Sequence, residues 1–195
     1  VLKKDDDFIL GLRNQFGNFH LVPEGGANYY GVMGCMEIAK ELDVQPDFFA
    51  TSAGTGTTAT GLLLSATQHQ KVMVFSGLKG GEFLKDDIKH LINYTTYNSE
   101  DTDDILQHLN LITDYHFGGF AKITPELVEF TNAFYRQFQI PLDLIYTSKL
   151  FYGLFDMIRK NHFKPHSKIV ALHTGGLQGN NGFSGQMKKM GISLI

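Results

Sequence analysis

The sequence predicts an α/β fold: a mostly parallel sheet with helices on both faces. Three observations point there. Short apolar runs alternate with segments of helical periodicity along most of the chain. The runs 48–50, 72–75 and 169–172 are nearly continuous in apolar residues, as inner strands covered on both faces should be. Turns rich in glycine and hydroxyl residues follow these runs, where a strand hands over to a helix.

Taken in order, residues 19–22 are a short apolar run stopped by Pro23-Glu24-Gly25-Gly26. Val32, Met36, Ala39 and Leu42 follow at helical spacing. Residues 47–51 read as a buried strand, 61–66 as a helix, and 71–75 as a strand bounded by Ser76-Gly77. Leu84, Ile88, Leu91 and Ile92 mark a further helix. Residues 93–104 are polar and read as a solvated connection. Thr124-Pro125-Glu126 opens a helix in favourable order: a capping hydroxyl, Pro at the first helical position, then an acid near the positive dipole end. Its buried stripe is Leu127, Phe130, Phe134 and Phe138; the next helix buries Leu150, Leu154 and Ile158 with Phe151 and Phe155. Residues 167–172 are a strand that runs into His173-Thr174-Gly175-Gly176. No internal repeat or low-complexity tract interrupts the series.

Composition narrows the function classes. The 195 residues, 43% hydrophobic and 19% charged, suit one large domain with a sizeable core. Disorder and collagen-like repeats are excluded. Seventeen Lys and Arg against 20 Asp and Glu leave a net charge of −3, which gives no footprint for nucleic acid or an anionic membrane. The single cysteine, Cys35, excludes an intrachain disulfide framework and fits a reducing compartment, so a cytoplasmic location is expected. No apolar stretch approaches the ~18 residues of a membrane span. The opening Val1-Leu2-Lys3-Lys4-Asp5-Asp6-Asp7 is no signal peptide and reads as the approach to a helix; without an initial Met, the chain reads as a piece of something longer.

In parallel sheets ligands bind beyond the carboxyl ends of the strands, so four turns are candidates. The first is Thr51-Ser52-Ala53-Gly54-Thr55-Gly56-Thr57-Thr58-Ala59-Thr60-Gly61. Its small residues admit close backbone approach, and it feeds a helix start whose free N–H groups attract phosphate. The hydroxyls of Thr55, Thr57 and Thr58 could add donors. It lacks the Gly-Lys-Ser/Thr ending of a nucleotide-binding P-loop and the Gly-x-Gly-x-x-Gly dinucleotide spacing. A tight turn with hydroxyl caps is the plain alternative. The second is His173-Thr174-Gly175-Gly176, where Thr174 could bond a ligand. In the third, Leu144-Ile145-Tyr146-Thr147-Ser148-Lys149, an apolar strand runs into a helix, and Tyr146 could transfer protons if its pKa were lowered. The fourth, Pro23-Glu24-Gly25-Gly26-Ala27-Asn28, reads first as a turn with Asn28 capping a helix. His162 and His166 are separated by Pro165 and make no metal site. The acidic runs around Asp6 and Asp103 are solvated, and Cys35 reads as buried and inert.

In this order the motifs 23–28, 54–58, 145–149 and 173–176 resemble the 1-aminocyclopropane-1-carboxylate deaminase and D-cysteine desulfhydrase family, from about residue 19 onward. The resemblance implies a tryptophan-synthase-β-like fold (fold type II), with residues 1–195 as the C-terminal part, mainly the large cofactor-binding domain. It implies pyridoxal 5'-phosphate as cofactor, a small amino acid as substrate, ammonia and a 2-oxo acid as products, and a homodimer. Gly54, Thr55, Gly56, Thr57 and Thr58 match the loop that holds the cofactor phosphate. Tyr146 matches a tyrosine beside the substrate that is implicated in proton transfer or nucleophile handling. Thr147 and Thr174 match residues that face the pyridine nitrogen, and the two are expected to converge there.

Four departures qualify the resemblance. Thr57 stands where many relatives have glycine, and Phe120 where relatives often have tyrosine. Thr147 stands where ring-opening deaminases carry glutamate, which moves the expected substrate towards D-cysteine or a related amino acid. The family's Schiff-base lysine lies in an N-terminal Gly-Asn-Lys segment that nothing here matches; Lys3, Lys4 and Lys149 sit in other contexts. Two further readings therefore stand beside the enzyme: a non-catalytic fragment or degenerate relative that holds a phosphate-bearing ligand, and a plain nucleotide- or phosphosugar-binding α/β domain.

Overall fold

In the computed structural model the residues described are 6–97 and 100–195. Lys3, Lys4 and Asp5 of the opening segment lie outside them, as do residues 98–99 of the polar connection. The described chain forms α1 (Asp6–Phe16), α2 (Tyr29–Lys40), β1 (Phe48–Ala53), α3 (Thr57–Ser65), β2 (Lys71–Ser76) and α4 (Leu84–Thr96). It continues with α5 (Thr102–Leu106), β3 (Leu109–Ile112), α6 (Pro125–Phe138), α7 (Thr147–Arg159), β4 (Ile169–Ala171) and α8 (Ser184–Met190).

The four strands form one parallel sheet in the order β3-β2-β1-β4. Strand alternation divides their side chains between two cores. Phe49 lies opposite Val72 and Val170, and Val72 opposite Leu109, so one face is an apolar row. Ala59, Leu62 and Leu63 of α3 and Leu84, Ile88 and Ile92 of α4 cover it, with Ile38 and Ala39 of α2 at its margin. On the other face Ala50, Met73 and Phe75 pack against Leu150, Leu154 and Met157 of α7. A third cluster joins Leu127 and Val128 of α6 to Met187 of α8, Phe183 and Leu144. Each fully buried Leu or Ile contributes roughly 1.5–3 kcal/mol. The α/β expectation with helices on both faces is met.

The helix starts follow the sequence rules. The Asn28 side chain accepts the Gly31 N–H at 2.9 Å and caps α2. Thr124 accepts the Leu127 N–H at 3.2 Å at the start of α6. No helix among the described residues is long and apolar enough to cross a membrane.

Several local expectations need correction. β4 is the edge of the described sheet rather than an inner strand, and its three residues are half-buried. Residues 144–145 form a turn, not a strand. Their backbone is claimed by side chains: Leu144 N–H donates to Asn180 Oδ1 at 2.9 Å and Ile145 N–H to Asp143 Oδ1 at 2.9 Å. Residues 19–22 are irregular, with Val22 65% exposed. The polar connection begins later than expected, because α4 runs to Thr96 and buries Thr95. It also ends sooner: Thr102, buried, opens α5 and bonds Asn93. Ile158 and Phe138, at helix ends, remain substantially exposed despite their place in the apolar stripes. β3 was not foreseen; four residues of mixed polarity after a single short helix carry little strand signal.

Truncation separates core from cap. Leu62→Ala, at a wholly buried position, is expected to cost about 2–5 kcal/mol in urea unfolding. Thr124→Ala should cost about 1 kcal/mol. Equal small losses would mean that α3 does not carry the core.

Candidate functional site

All four strands run parallel, so their carboxyl ends gather at one end of the sheet, where a cleft of about 530 Å³ opens. Ser52, Ala53 and the turn Gly54-Thr55-Gly56 supply one side, and Thr57 and Thr58 at the start of α3 supply its floor. Leu78 after β2 and Thr174 after β4 are further strand-end residues, and Tyr146 joins them from the turn before α7. Glu24, Gly25 and Phe120 close it from outside the sheet. Glu24 is its one charged side chain among the described residues; no described lysine, arginine or histidine lines it.

The turn into α3 needs its glycines. Gly56 is the N-cap, at φ +82°, a left-handed conformation that glycine adopts without strain. A Cβ on Gly54 would lie 2.7 Å from the Tyr146 hydroxyl. No side chain caps α3, so its first N–H groups lack the usual partner. The positive end of the helix dipole adds to their pull on an anion. The nearby hydroxyls are partly committed. Thr57 Oγ1 donates to Gly25 O at 2.9 Å and lies 3.2 Å from Thr55 Oγ1. Thr58 Oγ1 accepts from Cys35 Sγ at 3.8 Å. Cys35 is thus half-buried and bonded rather than wholly buried. The turn 24–26 both precedes the Asn28 cap and lines the cleft, a double role the sequence reading did not weigh.

Tyr146 reaches the cleft through Asp143. The Asp143 carboxylate is 1% exposed. It accepts the N–H groups of Ile145, Tyr146 and Thr147 at 2.9, 2.7 and 2.9 Å, and the Thr147 hydroxyl at 2.6 Å. Burial pushes the Tyr146 phenol above its ordinary pKa, and the Asp143 charge pushes the same way. The shift is thus opposite to the lowering that would ease proton removal, and it favours the protonated phenol, whose hydroxyl can donate or accept a hydrogen bond. Thr147 is fully buried and does not line the cleft. Its hydroxyl also accepts the Asp143 N–H at 2.8 Å. The expected convergence of Thr147 and Thr174 is absent, because Thr147 faces Asp143 while Thr174 faces the cleft.

Two imidazoles fix the remaining turns. Gly175 N–H donates to His173 Nδ1 at 3.1 Å, and His173 Nε2 lies 2.7 Å from Pro141 O, which makes Nε2 the protonated nitrogen. Gly118 N–H donates to His116 Nδ1 at 2.9 Å, two residues before Phe120. The Phe120 ring is 6.2 Å from that of Tyr146 and 56% exposed. Sequence reading missed Asp143 and Leu78 as parts of the site. An acid four residues ahead of a helix-opening threonine was the available signal for Asp143; Leu78 had none.

No protein-family model matches the sequence. The chain is 30% identical, over 92% of its length, to a protein of Pyrococcus horikoshii provisionally named 1-aminocyclopropane-1-carboxylate deaminase. It is 28% identical, over 82% of its length, to the mitochondrial bifunctional D-cysteine desulfhydrase/1-aminocyclopropane-1-carboxylate deaminase of Arabidopsis thaliana. It covers 56% and 42% of these two proteins, so the chain spans about half the length of the curated relatives it matches. A crystal structure titled as an ACC deaminase homologue superposes with a TM-score of 0.79 at 26% identity, over 95% of this chain and 57% of that one.

Asp143→Asn tests the link from carboxylate to phenol. Removing the charge should lower the Tyr146 pKa towards its ordinary value, read by NMR titration of labelled tyrosine. Stability should fall by about 1–3 kcal/mol as the N–H groups lose a charged acceptor. An unmoved Tyr146 titration would show that Asp143 does not act on it.

Proposed function

We propose that this relative of the 1-aminocyclopropane-1-carboxylate deaminases and D-cysteine desulfhydrases forms the phosphate-holding and substrate-facing wall of a pyridoxal-phosphate-dependent enzyme. The whole protein would act on a small amino acid, D-cysteine or a close analogue, and release ammonia and a 2-oxo acid. The observation that carries the reading is the uncapped start of α3, fed by Gly54 to Gly56 and opening into one cleft with Tyr146 and Thr174.

The residues present fit the cofactor. A Cβ on Gly54 would collide with the Tyr146 hydroxyl, so the turn and the phenol share a space kept clear of side chains. The donors are neutral N–H and O–H groups at a helix start, which suit a phosphate. Gly54, Thr55, Gly56, Thr57 and Thr58 would hold it. When bound, pyridoxal phosphate supplies an electron sink for the substrate. Thr174 would offer a neutral hydroxyl to the ring nitrogen, which leaves that nitrogen largely unprotonated and favours elimination. Tyr146, protonated, would hold or deliver a proton on the substrate side. Thr147 would serve indirectly, by fixing Asp143 and so Tyr146. A cytoplasmic homodimer belongs to the same proposal.

A second reading is favoured by one observation: no described lysine lines the cleft. The chain by itself would then bind a phosphate-bearing ligand and do no covalent chemistry.

Two experiments test these readings. Titrated with pyridoxal phosphate, Gly56→Asp should bind at least about tenfold more weakly than the unmodified chain, since a side chain at this left-handed position would press on buried Ile88 and distort the turn that presents the helix-start N–H groups. Unchanged affinity would refute the phosphate assignment. After borohydride the unmodified chain should carry no single stoichiometric lysine adduct.

In a full-length protein that contains the Schiff-base lysine, Tyr146→Phe should lower kcat by about 10²-fold or more with cofactor affinity nearly unchanged. Parallel losses of both would remove Tyr146 from proton handling.

A further inference from the structure

Lys149 is the buried ionisable group that the proposed chemistry does not use. Its side chain is 1% exposed and ranks among the largest fully buried ones. Nζ donates to Gly119 O at 2.7 Å and to Gly77 O at 3.3 Å. Burial lowers its pKa to about 8, while the Asp143 charge acts in the opposite direction. An apolar side chain of similar length would fill this space without the desolvation that an ammonium suffers. The charge therefore needs an explanation beyond packing.

Its two acceptors supply one. Gly77 immediately precedes Leu78, and Gly119 immediately precedes Phe120, the two apolar residues that wall one side of the cleft. The turns lie against one another: a Cβ on Gly119 would come within 3.3 Å of Lys79 Cβ. Gly77 in turn lies against the start of α7, where a Cβ would come within 3.2 Å of Tyr146 Cδ1. Three segments thus meet above the Lys149 head group, and α7 is the rigid element that carries it.

We propose that Lys149 is a positioning residue: its ammonium ties the Gly77-Leu78 and Gly119-Phe120 turns to α7 and so sets the apolar wall of the cleft. Hydrogen bonds from a charged donor are about twice as strong as neutral ones, and the carbonyls of two separate turns converge on this donor. The inference uses the proposed function only in taking the cleft as the binding site. Its test uses no ligand, so the failure of either can be told apart.

The readout is amide hydrogen exchange in the free chain. Leu78 N–H donates to Ser76 Oγ, Gly118 N–H to His116 Nδ1 and Gly119 N–H to His116 O, so these amides report on the turns. In Lys149→Met they should exchange about 10- to 100-fold faster, while amides of β1 and β2 change by less than about twofold. In a Cys35→Ala background, which removes the other free thiol, Lys149→Cys alkylated with 2-bromoethylamine regains an amine at the same reach and should recover the slow exchange. Should Lys149→Met not fold, Lys149→Cys is compared before and after aminoethylation, and the turn amides should exchange faster only before it. In the unmodified chain the Nζ protons should also show NMR contacts to Gly77 and Gly119. An even rise in exchange through the sheet, no rise in the turns, no recovery on aminoethylation, or no such contacts would each overturn the proposal.

Discussion

The buried carboxylate of Asp143 is the constraint on which the site depends. It collects three consecutive N–H groups and one hydroxyl at the start of α7, all within 2.9 Å. Its charge is met directly by backbone N–H groups, a hydroxyl and the positive end of a helix, and it also acts on the nearby Lys149 ammonium. That arrangement makes a sharp turn of residues 144–146 and sets Tyr146 at the cleft. It also anchors α7, whose apolar face covers one side of the sheet. The turn after β4 packs on the same group: a Cβ on Gly176 would fall 3.1 Å from Asp143 Cγ. One carboxylate therefore couples the turn into α7 to the turn after β4.

The cleft itself follows from parallel pairing. Parallel strands put every strand-to-helix turn at one end, so residues as distant in sequence as Ser52, Leu78 and Thr174 meet. The chemistry there is neutral apart from Glu24. A ligand anion is met by helix-start N–H groups and hydroxyls, which hold charge without a competing cation and leave the pKa of Tyr146 governed by burial and Asp143. Tyr146, protonated and half-buried, is a donor in a site of donors. Beside it, Leu78 and Phe120 form an apolar side whose two turns share the Lys149 ammonium. Asp143 and Lys149, both buried on or next to α7, thus each tie a different set of backbone groups to the same helix start.

Much of the architecture was legible in the residues. Helical spacing located α2, α4, α6 and α7, because one apolar stripe of each must face a core. Asn28 and Thr124 announced helix starts because a short polar side chain can satisfy an orphan N–H. The continuous apolar runs of β1 and β2 reflected burial on both faces. Gly54, Gly56 and their threonines were recognisable as a ligand turn, since only small residues allow that backbone path next to a helix start.

The sequence by itself thus determined β1, β2 and the helices α2, α4, α6 and α7, and where a ligand turn lies, because those depend on local periodicity and backbone sterics. Only the tertiary structure decided that β4 is an edge, that Thr147 turns to Asp143 rather than to the cleft, and that residues 144–145 are a turn. It alone decided that Lys149 points at two carbonyls 30 and 72 residues away in sequence. The physical reason is the same in each case. A hydroxyl, a carboxylate or an ammonium takes its role from the partner it finds when buried, and that partner is brought by packing between segments rather than by the neighbouring residues in the chain.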